Sequence, residues 1–451
     1  MSKVAEAPPA ELTNAADPSS SGSATISDLK TRAPTSHDGK AFAVMMTTYA
    51  VAWAVGLAPV FYLLAAVPMA LWLIQNRPLR LPPGSIYYAL FLLVVGASAV
   101  QLNTFGRMAI FALRSSWYAA AFVAFLYLSR HRGARAQATL VRAMVWLWVM
   151  IVAGGYLSIL APELSWSTPV AQFLPGVLAE NEFVQDLINP RSSEIQVFRF
   201  DDVTLFRPAA PFPYTNAWGS NLALTTPFML AAIHDRSIGI SRKVLVPLLA
   251  AGVVPFYIAL NRGAWVTLGI GVCYGIVRWG WVKRSLVPVI GLAVALTLGA
   301  TVAVSSGVLS TANEQLETRV EDSNATRASL YTQTLTEAAK SPLIGFGSTR
   351  PNPADPEGPP LGTHGQLWSV LFAHGYIGAA LYVGFFASAL LRHKPADPVP
   401  HWARVSLVIG LAQLPIYGHL PHQLFIMVAA VVISGWGSRA YRPIAPIPTA
   451  S

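Results

Sequence analysis

Long apolar runs separated by short polar connections dominate the hydrophobic pattern of this chain. A helix that crosses the hydrocarbon core of a bilayer needs about 17 or more mostly apolar residues, and most of the runs reach that length. The pattern therefore predicts about twelve membrane-spanning helices, at 41–57, 59–75, 85–102, 108–129, 139–160, 218–233, 243–260, 263–280, 286–306, 374–391, 403–418 and 422–438. The run 41–75 has a second interpretation, in which one long tilted helix precedes a re-entrant piece.

Two polar segments, 161–217 and 307–373, are too long to be simple connectors between helices. Residues 1–40 are rich in Ala, Pro, Ser and Thr and contain no apolar run, which predicts a disordered cytoplasmic tail without a signal peptide. We therefore expect one transmembrane domain over 41–442, which includes both long segments. A second short cytoplasmic tail is expected at 443–451.

Composition supports a membrane protein of the all-α polytopic class. The chain is 54% hydrophobic and 12% charged, with a mean hydropathy of +0.48. Its net charge of +10 would suggest nucleic acid in a soluble protein. Here we expect basic cytoplasmic loops and no nucleic-acid partner. The single cysteine, Cys273, lies inside an apolar run and excludes an internal disulfide.

Basic residues predict the orientation of the helices, because cytoplasmic loops carry an excess of Lys and Arg. With the amino-terminal tail in the cytoplasm, every inner loop is basic. The residues in question are Arg77, Arg80, Arg130, Arg132, Arg135, Arg142, Arg236, Arg242, Lys243, Arg278, Lys283, Arg284, Arg392, Lys394, Arg439 and Arg442. The segments 161–217 and 307–373 are then extracytoplasmic, and acidic residues outnumber arginines in the first of them.

Arg262 is expected in a tight turn at the outer mouth, immediately before an apolar run. It could simply extend to lipid phosphates at the membrane surface. Several other polar residues share the outer side, namely Arg114, Arg207, Asn216, Arg319 and Arg327. Converging guanidinium groups suit a dianionic ligand, because each binds phosphate oxygens in a bidentate manner. Alternatively, these arginines pair with the acidic residues of 161–217.

A histidine, His364, follows a Pro-rich loop on the same side and could accept a proton from a hydroxyl near neutral pH. It could equally be an ordinary loop histidine. Asp201 and Asp202 are a weaker candidate for a base or metal pair. The spacing of His374, His419 and His422 gives no tetrahedral metal set, and no nucleotide-binding or zinc-protease motif is present. We expect no metal and no cofactor.

Four motifs together resemble the O-antigen ligase and polymerase family of bacterial envelopes, over roughly residues 200–390. They are "FRPAAPFPYTNAWGSNLAL", "NRGAWVTL", "NATRASLYTQTLTEAAKSPLIGFG", and a histidine followed by "LFAHGYIGAALY". Two departures stand out. Gly365 follows His364 where the family usually has Asn, and no second arginine lies one turn beyond Arg262.

The resemblance implies a GT-C-type membrane glycosyltransferase that is metal-independent and inverting. Its donor would be a glycan on undecaprenyl (or another polyprenyl) diphosphate, and its acceptor a hydroxyl of a glycolipid or glycan outside the cytoplasmic membrane. Membrane lipids would surround it, and apolar grooves between its helices would house the prenyl chain. Arg262 and His364 would be catalytic. Residues implied in diphosphate binding are Arg207, Asn216, Arg262 and Arg327, with Arg114 and Arg319 as further candidates.

Three alternatives remain open from the sequence. A polysaccharide polymerase of the same family would use the same donor with a different acceptor. A lipid-linked glycan or anion transporter would use the arginines as a vestibule, although transporters usually place critical charges near the midplane. A membrane scaffold would carry no chemistry at all.

Overall fold

Helices make up most of the described chain. The computed structural model describes residues 39–436 except 79–80, 174–175, 177–181, 198–203, 286, 288–326, 356–357 and 393–396. All of the described residues belong to one unit by their contacts. In chain order the helices are α1 (Lys40–Ala54), α2 (Ala58–Gln75), α3 (Ser85–Ser98), α4 (Phe105–Arg130), α5 (Ala134–Leu160), α6 (Pro169–Gln172), α7 (Glu182–Ile188), α8 (Thr215–His234), α9 (Arg242–Ala251), α10 (Val253–Ile258), α11 (Arg262–Lys283), α12 (327–338), α13 (Gln366–Leu391), α14 (Pro398–Gln413) and α15 (Pro421–Ser434).

Four of these helices are long and apolar enough to cross a membrane, namely α2, α4, α5 and α13. Two shorter apolar helices lie at Ser85–Gln101 and Pro421–Ser434. The chain is thus a mostly helical protein of the polytopic membrane type, whereas the number of about twelve spans stays a prediction. The predicted span 286–306 lies almost wholly outside the described residues.

Proline and glycine explain where several helix boundaries fall. The chain breaks between α1 and α2, where Gly56 has a φ of 82° and Pro59 occupies the first turn of α2, as the division at Pro59 predicts. The predicted span 243–260 is wrong as a single helix. It is interrupted at Gly252, between Pro247 in α9 and Pro255 in α10, because proline removes a backbone donor and clashes with the preceding turn.

The central helix α8 packs against α5, α11, α14 and α15. Its polar side chains find partners inside the bundle. Ser220 donates to Gln413 at 2.8 Å, and Thr226 accepts from Trp148 at 3.0 Å. All residues of α15 are buried as well. Helices enclosed in this way do not face lipid, so they need not be as apolar as α2 or α5.

A two-stranded antiparallel sheet, which the sequence did not predict, accompanies the helices. Its strands are β1 (Ser193–Val197) and β2 (Thr204–Pro208), paired so that Glu194 lies opposite Arg207. The sequence signal is the alternation of polar and apolar residues at positions 194–197, because a period of two is typical of a strand. The hairpin lies inside the segment 161–217 and carries a site residue.

Basic residues of the predicted inner side form hydrogen bonds to backbone carbonyls at one end of the bundle. Arg130 at the end of α4 donates to the Pro78 carbonyl at 2.9 Å, and Arg392 after α13 donates to the Pro83 carbonyl. Arg242 donates to the Ile233 carbonyl near the end of α8 at 2.5 Å. The opposite ends of α4, α8 and α13 meet at a cavity, so the predicted site and these residues lie at opposite ends.

Candidate functional site

A cavity of about 370 Å³ opens where α4, α8, α12 and α13 meet the loop between α14 and α15. This volume is typical of small-molecule sites. Four of the residues predicted from the sequence line it, namely Arg114, Asn216, Arg327 and His364. Residues more than 200 positions apart are therefore brought together at one end of the bundle.

Helix α12 carries Arg327 and Tyr331 one turn apart, so both side chains lie on the same face. The Tyr331 hydroxyl lies 2.9 Å from the His364 carbonyl oxygen and 3.2 Å from the Pro415 carbonyl oxygen, within donating distance of both. Its ring stacks on Trp368 with centroids 4.6 Å apart. These contacts fix the loop that carries His364 against the helix that carries Arg327.

His364 has a φ of 60°, in the left-handed region that residues with a side chain rarely adopt. Such a conformation costs on the order of 1–3 kcal/mol and persists where the surroundings determine it. Here the hydrogen bond from Tyr331 holds the carbonyl. The next residue, Gly365, leaves no room for a side chain, because an added Cβ would lie 2.6 Å from the Pro415 carbonyl oxygen. This contact explains the glycine where the family usually has Asn.

Thr363 determines which nitrogen of His364 carries the proton. The Thr363 hydroxyl donates its only hydrogen to the Pro360 carbonyl at 2.6 Å. Its oxygen also lies 3.0 Å from Nδ1 of His364. Because the short contact to Pro360 engages the hydroxyl hydrogen, this geometry favours Nδ1 as the donor in the contact with Thr363. The neutral imidazole therefore has an unprotonated Nε2, which is able to accept a proton.

The surroundings favour the neutral form of His364. Partial burial lowers the pKa of its imidazole, and the positive charge of Arg327 lowers that pKa further. Both effects favour the uncharged imidazole at neutral pH. Its side chain remains accessible from solvent.

Three arginines lie close enough to Tyr417, a residue that lines the cavity, for their charges to act on its hydroxyl. Burial raises the pKa of Tyr417, and the positive charges of Arg327, Arg207 and Arg262 oppose that shift. Burial likewise lowers the pKa of Arg207, and the charges of Arg262 and Arg327 add to this effect against the opposing carboxylate of Glu194. The charges of Arg207, Arg262 and Arg327 therefore act on the same tyrosine, but of the three only Arg327 lines the cavity.

The hairpin positions Arg207. Its Nε donates to the Ala259 carbonyl at 2.9 Å, and Glu194 lies directly opposite it in the sheet. The Glu194 carboxylate also accepts a hydrogen bond of 2.8 Å from the backbone N–H of Thr215, the first residue of α8. A carboxylate is favourable there because helix amino termini present unpaired N–H donors. The alternative of arginines paired with acidic residues of 161–217 thus applies in part to Arg207.

Arg262 is the first residue of α11, and its side chain is exposed. The preceding Asn261 caps the helix by accepting from the Ala264 N–H at 3.3 Å, and it also accepts from the Tyr417 hydroxyl. Within the described part of the chain, the Arg262 guanidinium makes no hydrogen bond or ion pair. Its fork of donors is available to a ligand.

The remaining candidates are placed as follows. Arg114 projects from α4 over the Phe183 ring at 5.9 Å, and Asn216 is exposed at the start of α8. Arg319, Asp201 and Asp202 lie outside the described residues. His374 is buried in α13, where its Nδ1 contacts the Ser98 hydroxyl at 2.9 Å, and it does not line the cavity. His419 lines the cavity, whereas His422 is buried among aromatic rings.

Several lining residues escape prediction from the sequence. Examples are Glu194, Tyr214, Gln366 and Tyr417. Gln366 links the site internally, because its side chain donates to the Tyr118 hydroxyl at 2.9 Å and accepts from the His419 N–H at 2.9 Å. The only available signal is the polar and aromatic character of "PIYGHLPH" between two apolar runs. Among the residues that the structure describes, no three His, Cys, Asp or Glu side chains form a group that could hold a metal ion.

The turn at Gly345 and Gly347 docks onto a break in α13. Gly375 interrupts that helix with a φ of 70° and a ψ of −177°. The freed groups are satisfied across the break, since Phe346 N–H donates to the Phe372 carbonyl at 2.9 Å and Gly347 N–H to the Ala373 carbonyl at 2.7 Å. The turn at Gly345 and Gly347 is thus hydrogen-bonded to the helix at its break.

Residues 247–383 match the family model of the O-antigen ligase domain. This match confirms the relationship to the O-antigen ligase and polymerase family that the sequence motifs predict. It includes Arg262, Arg327 and His364, whereas Arg114, Arg207 and Asn216 lie outside it. No curated protein and no solved structure gives a significant match.

Proposed function

Because residues 247–383 assign the chain to the O-antigen ligase and polymerase family, we propose that it is a membrane glycosyltransferase. It transfers a glycan from an undecaprenyl (or another polyprenyl) diphosphate carrier to a hydroxyl of a glycolipid or glycan. The reaction takes place at the outer face of the cytoplasmic membrane and uses no metal. The observation that carries the proposal is the cavity that joins a neutral, partly buried imidazole to several arginines.

In this reaction the acceptor oxygen forms a bond to the anomeric carbon while the bond from that carbon to the diphosphate oxygen breaks. The hydroxyl proton moves to Nε2 of His364, and the electron pair of the broken bond leaves with the diphosphate. Attack from the face opposite the diphosphate inverts the anomeric centre. General base catalysis of this kind contributes about 10²–10⁴-fold in rate.

The arginines stabilise the charge that develops on the leaving diphosphate. Arg327 lines the cavity, and Arg207 and Arg262 act on the same tyrosine hydroxyl at its edge. Guanidinium groups suit this role because they stay charged and donate in pairs to phosphate oxygens. Asn216 and Arg114 supply further donors along the wall. Electrostatic stabilisation of developing charge is usually the largest contribution in such sites.

The test is reconstitution of the full chain in proteoliposomes with an undecaprenyl-diphosphate-linked glycan and candidate acceptors, following release of the lipid diphosphate. Arg262→Gln should reduce release by about 10²–10³-fold, the effect of losing one electrostatic contact to a transition state. The matched control is Arg284→Gln, an exposed arginine beyond the opposite end of α11, which should release lipid diphosphate at the wild-type rate. Equal rates for Arg262→Gln and wild type would refute the proposal.

A polymerase is the alternative within the same family, and the same reconstitution distinguishes it. A polymerase given single repeat units produces a ladder of glycan lengths on the lipid carrier. A ligase transfers a finished chain to a distinct acceptor in one step. We favour the ligase, because the helix that leads to Gly345 and the histidine loop resemble ligases more closely.

A further inference from the structure

A second cavity, of about 590 Å³, lies in the segment 161–217 beside the first. It is formed between residues 162–167 and residues 185–195, and none of its lining residues belongs to the proposed transfer machinery. Its volume falls within the range of ligand sites in proteins, about 300–1,000 Å³.

The walls of this cavity are held by backbone pairing. Ser192 N–H donates to the Leu164 carbonyl at 2.8 Å, and Trp166 N–H donates to the Pro190 carbonyl at 3.1 Å. The Trp166 indole N–H donates to the Ala54 carbonyl at 2.8 Å, which anchors the cavity to α1. The site is therefore preformed, which reduces the entropy that a ligand must overcome on binding.

The polar side chains of the cavity are amides, hydroxyls, one internal ion pair and the carboxylate of Glu163. The Asn189 amide donates to Gln185 at 2.5 Å, while its oxygen lies 3.5 Å from the Ser167 hydroxyl. An amide nitrogen has two hydrogens, and within the described residues Asn189 uses one of them. Asp186 pairs with Arg191 at 3.3 Å. Trp166 adds an aromatic surface.

The two cavities differ in charge, and this difference indicates different ligands. The first cavity is lined by two positively charged residues, Arg114 and Arg327, and by one carboxylate, Glu194. The second cavity is lined by two carboxylates, Asp186 and Glu163, and by one arginine, Arg191. Phosphate is disfavoured there by like charge, whereas an uncharged polyhydroxyl ligand matches neutral amides, hydroxyls and an aromatic ring.

One strand separates the cavities. Successive side chains of a strand point to opposite faces. Accordingly Glu194 of β1 lines the first cavity, while Ser193 and Ile195 line the second. Tyr214 of the first cavity also lies against Arg191 of the second, with the guanidinium 5.9 Å from its ring. The two cavities thus lie next to each other and share a wall, which is formed by β1 and by the contact between Tyr214 and Arg191.

We infer that the second cavity is a saccharide subsite, which binds pyranose units of the glycan whose reacting end occupies the first cavity. This inference rests on the proposed function. The ligand is a run of uncharged or weakly charged sugars. Such a run could belong to the donor glycan or to the acceptor, and the second experiment below distinguishes the two. The Asn189 amide supplies the central contacts.

Binding is tested first, without any transfer step. The full chain in detergent is applied to an immobilised panel of free oligosaccharides that represent bacterial O-antigen repeat units and carry no lipid or phosphate. At least one glycan should bind the wild type, and Asn189→Ala should lower its affinity by about threefold to tenfold, the value of one or two lost hydrogen bonds. Gln172→Ala, an exposed amide that lines neither cavity, should bind as the wild type does. Ser167→Ala tests the same subsite should Asn189→Ala fail to fold.

Transfer is tested second, with donors or acceptors that carry one or several repeat units. In the wild type, the substrate with several repeat units should have the higher kcat/KM, and Asn189→Ala should remove this difference. If the difference disappears for the donor, the donor glycan occupies the subsite; if it disappears for the acceptor, the acceptor glycan does. Unchanged binding and unchanged length dependence in Asn189→Ala would overturn the subsite while leaving the transferase intact. Failure of the wild type to bind any glycan of the panel would also overturn the subsite. Glycan binding without any transfer by the wild type would instead refute the proposed function.

Discussion

The hydrogen bond between Thr363 and His364 leads to a sharp kinetic prediction. In the substitution Thr363→Val a methyl group of similar size replaces the hydroxyl. The acceptor for the Nδ1 hydrogen is then lost, so the neutral imidazole is free to carry its proton on Nε2 instead. A ring in that tautomer cannot accept the proton of an acceptor hydroxyl through Nε2.

The size of the effect follows from the geometry of the contact. The bond between the Thr363 oxygen and Nδ1 is 3.0 Å long and joins two uncharged groups. Such a bond contributes about 0.5–1.5 kcal/mol net. Because each 1.36 kcal/mol is tenfold in rate, the maximal kcat/KM should fall by about 2- to 13-fold. The acid limb of the pH profile should also move to lower pH, since the imidazolium loses a stronger, charge-assisted bond.

The assay is initial-rate release of lipid diphosphate in proteoliposomes across pH. Thr363→Ser keeps the hydroxyl and should restore both the rate and the position of the acid limb. Thr332→Val is the matched control, because among the described residues the Thr332 hydroxyl bonds only to the Ala328 carbonyl of its own helix, at 2.9 Å. Wild-type kinetics in Thr363→Val, or an equal loss in Thr363→Ser, would refute the tautomer argument.

Two further predictions concern charge and backbone conformation. The positive charge of Arg327 lowers the pKa of His364. Arg327→Gln should therefore raise that pKa and move the acid limb of the kcat/KM profile to higher pH, whereas Arg327→Lys should leave the limb in place. An unmoved limb in Arg327→Gln would contradict the assignment of that limb to His364. Gly375→Ala should lower the midpoint of thermal unfolding for two reasons. The backbone at Gly375 has a φ of 70° with extended ψ, which residues other than glycine adopt only at a cost of about 1–3 kcal/mol. The added Cβ would also lie 2.6 Å from the Pro342 carbonyl oxygen. Gly384→Ala in the same helix is the control, since its Cβ would approach nothing closer than 3.6 Å, and an equal midpoint for the two variants would count against the argument.

Features with a local cause could be predicted from the sequence. Arg262 precedes an apolar run, so its position at the end of a helix follows from the cost of burying charge in hydrocarbon. The break near Pro59 follows from the missing backbone donor of proline.

Features that depend on distant contacts could not be predicted in this way. Tyr417 belongs to the site only because the loop between α14 and α15 packs beside Asn261. The hairpin was missed because short strands inside a long polar segment give a weak periodic signal. The tautomer of His364 depends on the carbonyl of Pro360, which accepts the Thr363 hydroxyl hydrogen. Pro360 is close in sequence, but the sequence does not show in which direction its carbonyl points.

The role of His364 is best tested by measuring donor binding and glycosyl transfer side by side for wild type and His364→Ala, in the same proteoliposomes. His364→Ala should bind the undecaprenyl-diphosphate glycan with wild-type affinity and transfer it about 10²–10⁴-fold more slowly. Transfer at the wild-type rate by His364→Ala would contradict the assignment of His364 as the base, and with it the central claim that this cavity performs glycosyl transfer.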